Sequence, residues 1–188
     1  MQADLREDAQ VASMRDRIEA GFGPVYGLVN LAGGSNNGVS WKLSAQQFRD
    51  ILGLNLLTTF LACREFIPGM RDRGAGRIIN ISSVVAFSGV SGASHYAAAK
   101  GAIVSFSKSL ALELSNKNVA VSVIALRYFG HGLIETIPEA VQAEIRSRIP
   151  ARRFGRADEV GAMFGFLLGT GGGYSGGQVY HLNGGLYS

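Results

Sequence analysis

The sequence predicts an α/β protein built on a parallel sheet with helices on both faces. Three observations carry this. Short runs rich in Val and Ile alternate with longer helical stretches along the whole chain. The short runs are apolar at successive positions rather than at every second one, as in strands buried on both faces. Glycines and polar residues gather where those runs end, at Gly33-Gly34, Ser82-Ser83 and Gly184-Gly185. Repeated strand–helix units of this length imply right-handed crossovers. At 188 residues the chain reads as a single domain, 1–188, large enough for a sizeable core.

The elements follow in order. Asp8 to Phe22 carries Val11, Met14 and Ile18 at helical spacing. Val25 to Leu31 is a short strand leading into Ala32-Gly33-Gly34. Ser44 with Gln47 reads as a capping box, and Phe48 to Met70, with Pro68 near its end, is apolar enough for a buried helix. Arg77 to Ile81 is strand, His95 to Leu114 helix and Val119 to Ala125 strand. Pro138 to Arg148 and Ala157 to Leu168 are helices, and Gln178 to Leu182 is the last strand. Ligands of such sheets bind at the carboxyl ends of the strands. Asn30 to Gly34, Ser83 and Leu126 to Ile134 should therefore converge on one cleft.

Composition excludes several classes. With 47% hydrophobic and 17% charged residues the chain is neither disordered nor fibrous. Its net charge of +4 comes without a Lys/Arg run interleaved with aromatics, so nucleic-acid binding has no support. Cys63 is the only cysteine, which rules out an internal disulfide or cysteine-based metal cluster and suits a reducing cytosol; within LLTTFLAC it reads as a core residue. The opening MQADLRED is polar, unlike a signal peptide, and no uninterrupted apolar stretch approaches the ~20 residues that span a bilayer. A cytoplasmic protein with no membrane partner is the expectation. His95, His131 and His181 lack metal-ligand spacing, so no metal site is expected. His95 reads either as lining a substrate mouth or as a surface cap.

The chemistry-bearing stretch is Ser83 to Lys100, SVVAFSGVSGASHYAAAK. Tyr96 and Lys100 share a face of a helix, and the three alanines between them keep that face open. This pair suits proton exchange with a carbonyl or alcohol oxygen. A free tyrosine titrates near pH ~10, too high for efficient exchange, and a neighbouring ammonium favours the phenolate and lowers that value. Ser83, at a strand end, would hold the substrate oxygen by a hydrogen bond. A Tyr-x-x-x-Lys spacing alone is common on helix surfaces; Ser83, Asn55 and Asn30-Leu31-Ala32-Gly33 at fixed offsets make it specific.

Together with GRIINISSVV, YAAAKGAIVSFSKSLALEL, PARRFGRADEVGAMFGFLL and YSGGQVYHLNGG, these residues resemble the short-chain dehydrogenase/reductase family over essentially the whole chain. The likeness is greatest to 3-oxoacyl-(acyl-carrier-protein) and acetoacetyl-CoA reductases. The resemblance implies a Rossmann-like fold and reduction of a ketone, free or bound to an acyl carrier protein, to a secondary alcohol. Asn55, Ser83, Tyr96 and Lys100 would form the catalytic tetrad, with Asn55 anchoring a water that relays protons through Lys100. Asp4 and Leu5 would touch adenine, Asn30, Ala32 and Gly33 the adenosine ribose side, and Tyr96 and Lys100 the nicotinamide ribose. The subgroup implies NADP as cofactor, with NAD left open, and a homo-oligomer (dimer or tetramer) paired through the helices 48–70 and 95–114. The basic cluster Arg146, Arg148, Arg152, Arg153 and Arg156 reads first as a solvated face and second as an attraction for an acidic carrier protein.

Several departures shape the expectations. No G-x-x-x-G-x-G precedes Asp4, and Met1 falls where the family's third strand would be, so the first two strands are expected to be absent. The 25–31 strand should then have an unpaired apolar edge, Asp4 should be poorly held, and NADPH should bind at least ~100-fold more weakly than to a longer form. A non-catalytic remnant or partner subunit is the alternative reading. Leu126-Arg127 stand where the family has Pro-Gly; gap-free counting puts His131 at the carboxamide-binding threonine, and Thr136 reaches that role only with a local shift.

Overall fold

A computed structural model of the chain describes residues 2–188, the side chain of Leu133 excepted; Met1 lies outside the described residues. All four expected strands form: β1 (Gly27–Asn30), β2 (Gly76–Ser83), β3 (Val119–Leu126) and β4 (Val179–Leu182). They make one parallel sheet in the order β1-β2-β3-β4. Asn30 is opposite Asn80, Ser83 opposite Leu126, and His181 opposite Ala125. β1 is shorter than the expected strand because β2 alone pairs with it, and the exposed Tyr26 and Leu31 flank it. The unpaired edge is as expected.

Seven α-helices surround the sheet: α1 (Asp8–Phe22), α2 (Ala45–Leu52), α3 (Thr58–Arg73), α4 (Val85–Ser88), α5 (Ser94–Leu114), α6 (Glu139–Arg148) and α7 (Ala157–Leu168). The capping box at Ser44 is present: Ser44 Oγ accepts from the Gln47 amide at 3.1 Å, and the Ser44 amide donates to Gln47 Oε1 at 2.8 Å. The expected single helix 48–70 is instead α2 and α3 joined by a π-helical turn, Gly53–Leu57. There the hydroxyls of Thr58 and Thr59 donate to the Asn55 carbonyl at 3.2 and 2.9 Å, competing with the regular ladder. The whole run Ala45–Arg73 is 29 residues and, by length and composition, apolar enough to cross a membrane, contrary to expectation. Its apolarity has a local cause, since Cys63, Phe66 and Met70 pack on the sheet.

The core has two unequal halves. On one face α3 and α5 set Cys63, Phe66, Met70, Leu110, Ala111 and Leu114 against Ile78, Val119 and Val121. α1 lies outside α3, tied by Arg15–Glu65 at 2.9 Å and Arg64–Asp8 at 3.2 Å. On the other face α7 contributes Leu167, fully buried against Ile79, Ile81 and Ile124. Strand alternation explains the division, since Ile78 and Ile79 point to opposite sides of β2.

Along the α3/α5 side of β2, Ile78 is followed by Asn80 and then Ser82, so the buried face turns polar toward the strand's carboxyl end. Asn80 accepts from Asn30 Nδ2 at 2.8 Å and donates to Ser107 Oγ at 2.8 Å, and Ser107 donates to the Ile103 carbonyl at 2.7 Å. This buried relay ties β1, β2 and α5 together, with each polar group satisfied.

Candidate active site

Ser83 closes β2. Its hydroxyl donates to the Leu126 carbonyl at 3.3 Å and accepts from the Val85 amide at 3.3 Å. One residue earlier, Ser82 Oγ donates to the Lys100 carbonyl at 2.8 Å, and Lys100 Nζ donates to the Ile81 carbonyl at 3.0 Å. Two adjacent residues of β2 thus grip Lys100 at both ends, fixing the register of α5 against the sheet. Lys100 is only 4% exposed, and its ammonium lies 5.7 Å from the centroid of the Tyr96 ring.

Asn55 sits in the π turn, completely buried. Its amide donates to the carbonyls of Gly34 at 2.9 Å and Ile51 at 3.0 Å, and its Oδ1 accepts from the Gly34 amide at 3.3 Å. The Gly34 peptide is therefore clamped on both sides. Gly33 lies closer still: a Cβ there would stand 2.6 Å from Asn55 Oδ1 and 3.4 Å from Lys100 Nζ. Glycine is required here for close approach rather than for a special turn. The loop after β1 thus reaches both Asn55 and Lys100, while Ser83 hydrogen-bonds the end of β3. Gly33 thus lies beside Asn55 and Lys100, and Ser83 touches Leu126, the first residue of the 126–134 segment.

The electrostatics depart from expectation in one respect. Burial pushes the Tyr96 phenol above its ordinary value, and hydrogen bonding with Ser83 and the charge of Arg127 act in the opposite sense. Lys100 is not among the groups that lower it, and burial brings Lys100's own pKa down to about 8. Among the described residues the desolvated ammonium has one acceptor, the Ile81 carbonyl, and further N–H groups to offer.

Other expected residues lie elsewhere or are already engaged. The Asn30 side chain turns inward to Asn80 and to Cys63 Sγ at 3.3 Å, leaving only its main chain for a ligand. Asp4 is not poorly held: its amide donates to Gln10 at 2.9 Å and its carboxylate takes the Arg6 side chain at 2.6 Å. Arg6 holds that carboxyl down at about 2. No hydrogen bond among the described residues joins Asp4 or Leu5 to the loop after β1. Cys63 is buried, its thiol pushed up to about 12 by desolvation, in keeping with a core residue.

His95 is neither a mouth residue nor a surface cap. It is 1% exposed, and its Nε2 hydrogen-bonds the Asn36 carbonyl, tying α5 to the loop after β1. His131 is exposed and pairs with Glu135 at 3.3 Å. The basic cluster is largely neutralised: Arg146 pairs with Glu139, Arg148 with Glu144, Arg153 with Glu159 and Arg156 with Asp158. Solvated pairs of this kind leave little net field for an acidic partner. Ser82 and Asn80 escape a reading of the sequence; the polar residues interrupting an otherwise apolar strand, at Asn80 and Ser82-Ser83, are the signal that marks them.

The comparisons bear on this geometry. The family described as Enoyl-(Acyl carrier protein) reductase matches residues 1–187. The nodulation protein G of Azospirillum brasilense is 37% identical over 185 residues, covering 98% of this chain and 75% of the relative. The 3-oxoacyl-(acyl-carrier-protein) reductase of Salmonella typhimurium is 33% identical over 184 residues, with 98% and 75% covered. The acetoacetyl-CoA reductase of Rhizobium meliloti is 37% identical over 172 residues, covering 91% of this chain and 71% of the relative.

Proposed function

Because the chain belongs to the short-chain dehydrogenase/reductase family, we propose that it serves reduction of a ketone to a secondary alcohol with a nicotinamide cofactor, its substrate a 3-oxoacyl thioester. The observation that carries the reading is the Lys100 ammonium: almost fully buried, bound to a single carbonyl, and set against Tyr96 and Gly33. A desolvated cation with spare donors is costly unless it has work at a ligand.

In this reading Tyr96 gives its phenolic proton to the carbonyl oxygen while Ser83 donates a hydrogen bond to the same atom. Both stabilise charge as it develops there. Lys100 then returns a proton toward Tyr96, and Asn55 supports the relay from the π turn. Gly33 packs directly against Asn55 and beside Lys100, so a ribose held by Lys100 would lie against a main chain that carries no side chain. Asp4 and Leu5 would hold adenine, the main chain of Asn30, Ala32 and Gly33 the adenosine ribose, and Tyr96 and Lys100 the nicotinamide ribose. The bound nicotinamide supplies hydride, while the protein positions and polarises. NADPH is the cofactor proposed, as the resemblance to the 3-oxoacyl reductase subgroup implies.

A homo-oligomer is part of the proposal. It is supported by a groove of about 480 Å³ between α2–α3 and α5, lined by Leu52, Leu56, Leu57, Phe60 and Phe106, of which Leu57 and Phe60 are each 40% exposed. A cytoplasmic location belongs to the same reading.

The test is NADPH oxidation with 3-oxobutanoyl-CoA, followed by absorbance. Tyr96→Phe should lower turnover by about 10²–10⁴-fold while cofactor affinity is largely kept. Turnover within a few-fold of the unaltered chain removes Tyr96 from the mechanism. Absence of turnover in the unaltered chain favours the alternative of a non-catalytic remnant or partner subunit.

A further inference from the structure

A cavity of about 250 Å³ lies at the carboxyl ends of β3 and β4, apart from the Ser83–Tyr96–Lys100 row. Arg127 and Tyr128 line it from one side, His181 and Asn183 from another, and Arg153 and Glu159 from a third. Backbone bonds hold these walls together: Arg127 N to the Leu182 carbonyl at 3.2 Å, Gly155 N to the Tyr128 carbonyl at 3.0 Å, and Gly130 N to the Gly155 carbonyl at 2.9 Å. Tyr128 adopts a left-handed backbone, φ 53°, which non-glycine residues avoid. Its ring lies 4.4 Å from the Arg127 guanidinium carbon, and its hydroxyl accepts from Arg127 Nη2 at 2.9 Å.

The charges in the cavity do not cancel. Arg153 donates to both oxygens of Glu159, at 2.8 and 2.6 Å, and is neutralised. Arg127 has no carboxylate partner among the described residues; its side chain's one hydrogen bond goes to the neutral Tyr128 hydroxyl. Two buried nitrogens of the lining, Arg127 Nε and His181 Nδ1, have no partner. A half-buried guanidinium with a buried, unpartnered Nε and no counterion among the described residues is unfavourable unless an anion completes it.

We propose that this cavity binds the carboxylate of a small organic acid, with Arg127 as its counterion. A planar guanidinium matches a carboxylate in shape. With the Arg153–Glu159 pair neutral, the one uncompensated positive charge matches a monoanion better than a dianion. The volume is below the ~300 Å³ where drug-sized sites begin, which limits the ligand to a few carbons. The site stands beside the catalytic row, since the residue before Arg127, Leu126, carries the carbonyl to which Ser83 donates. The carboxylate therefore comes either from a free oxo-acid reduced in place of the thioester, a choice that rests on the reductase reading but changes its substrate, or from a separate acid.

Calorimetry with butanoate and with inorganic phosphate on the full 188-residue chain tests the site without reference to turnover. Butanoate should bind, Arg127→Met should weaken it at least ~10-fold, and phosphate should bind more weakly than butanoate in the unaltered chain. Arg127→Lys keeps the charge and loses the fork; it should retain part of the affinity and serves if Arg127→Met fails to fold. No butanoate binding, affinity unchanged in both variants, or tighter binding of phosphate overturns the proposal. Kinetics with 3-oxobutanoate and NADPH then separate the sources: competitive inhibition by butanoate assigns the carboxylate to the substrate, non-competitive inhibition to a second acid. Retained butanoate binding without turnover counts against the reductase reading and leaves the carboxylate site standing.

Discussion

The two faces of the sheet are built to different standards. The α3/α5 face is closed: Phe66, Met70, Leu110 and Leu114 cover Ile78 and Val121, and above them the same face carries Asn80, Ser82, Lys100 and Asn55, all buried. The α7 face is thin, with Leu167 the one fully buried side chain of its helix. The difference teaches where precision is kept. Buried polar groups need fixed partners, and only the closed face provides a framework rigid enough to hold Lys100 and Asn55. The Arg127–His181 cavity, with its unpaired donors, lies at the carboxyl ends of β3 and β4.

Removing one large side chain from each face gives the widest separation. Phe66→Ala should cost about 3–5 kcal/mol, because its neighbours on three elements cannot collapse into the space. Leu167→Ala should cost about 2 kcal/mol, at the low end for leucine, since half-exposed neighbours can relax. Urea unfolding of both variants measures the gap; equal losses would mean that the two faces are equally well packed.

Lys100 sharpens the comparison through pH. Its folded pKa is about 8 against an ordinary 10.5. Below pH 8 it is charged in both states, and the folded chain bears the full desolvation cost. Between pH 8 and 10.5 the unfolded chain holds more protons, so stability should rise with pH, by at most about 3 kcal/mol. Tyr96 works against this only above its ordinary 10.0, because its folded pKa is raised. Thermal melts from pH 7 to 10 should therefore show a gain that Lys100→Met abolishes, and that variant should be the more stable at pH 7. A flat profile in the unaltered chain would count against a strongly desolvated ammonium.

Smaller effects probe the contacts at the top of the closed face. Gly33→Ala should cost about 1–3 kcal/mol, because the new methyl meets Asn55 Oδ1 at 2.6 Å and the buried amide cannot withdraw. Gly89→Ala is a poor control, since its φ of 65° adds strain of its own; Gly53→Ala, with nothing near its Cβ, is the proper one and should be neutral or stabilising. Smallest is Ser82→Ala, about 1 kcal/mol, seen in a melt as loss of the bond to the Lys100 carbonyl.

Much of this fold is legible in the residues themselves. The parallel strands show as apolar runs without alternation, α2 announces its start through Ser44 and Gln47, and Tyr96 and Lys100 share one face of α5 as their spacing predicts. What escapes is whatever depends on partners far along the chain. The Asn30–Asn80–Ser107 relay joins three elements whose register no local pattern reports. His95 looks like a surface residue until the loop after β1 folds over it. The direction of the Tyr96 shift depends on how deeply Tyr96 itself is buried, which spacing alone does not reveal.

The π turn at Gly53–Leu57 has a consequence for how the chain tolerates change in length. A π turn is one residue wider than an α turn, and one residue is about 100° of helical phase. That added phase lets the front of the run aim Asn55 at Gly34 while the back aims Cys63, Phe66 and Met70 at the sheet. The two halves are geared together by a single extra tooth. Asn55 apart, substitution within 53–57 changes local contacts, whereas deletion of one residue there would rotate the front half against the back and turn Asn55 away from the loop. Around Asn55, the count of residues matters more than their identity.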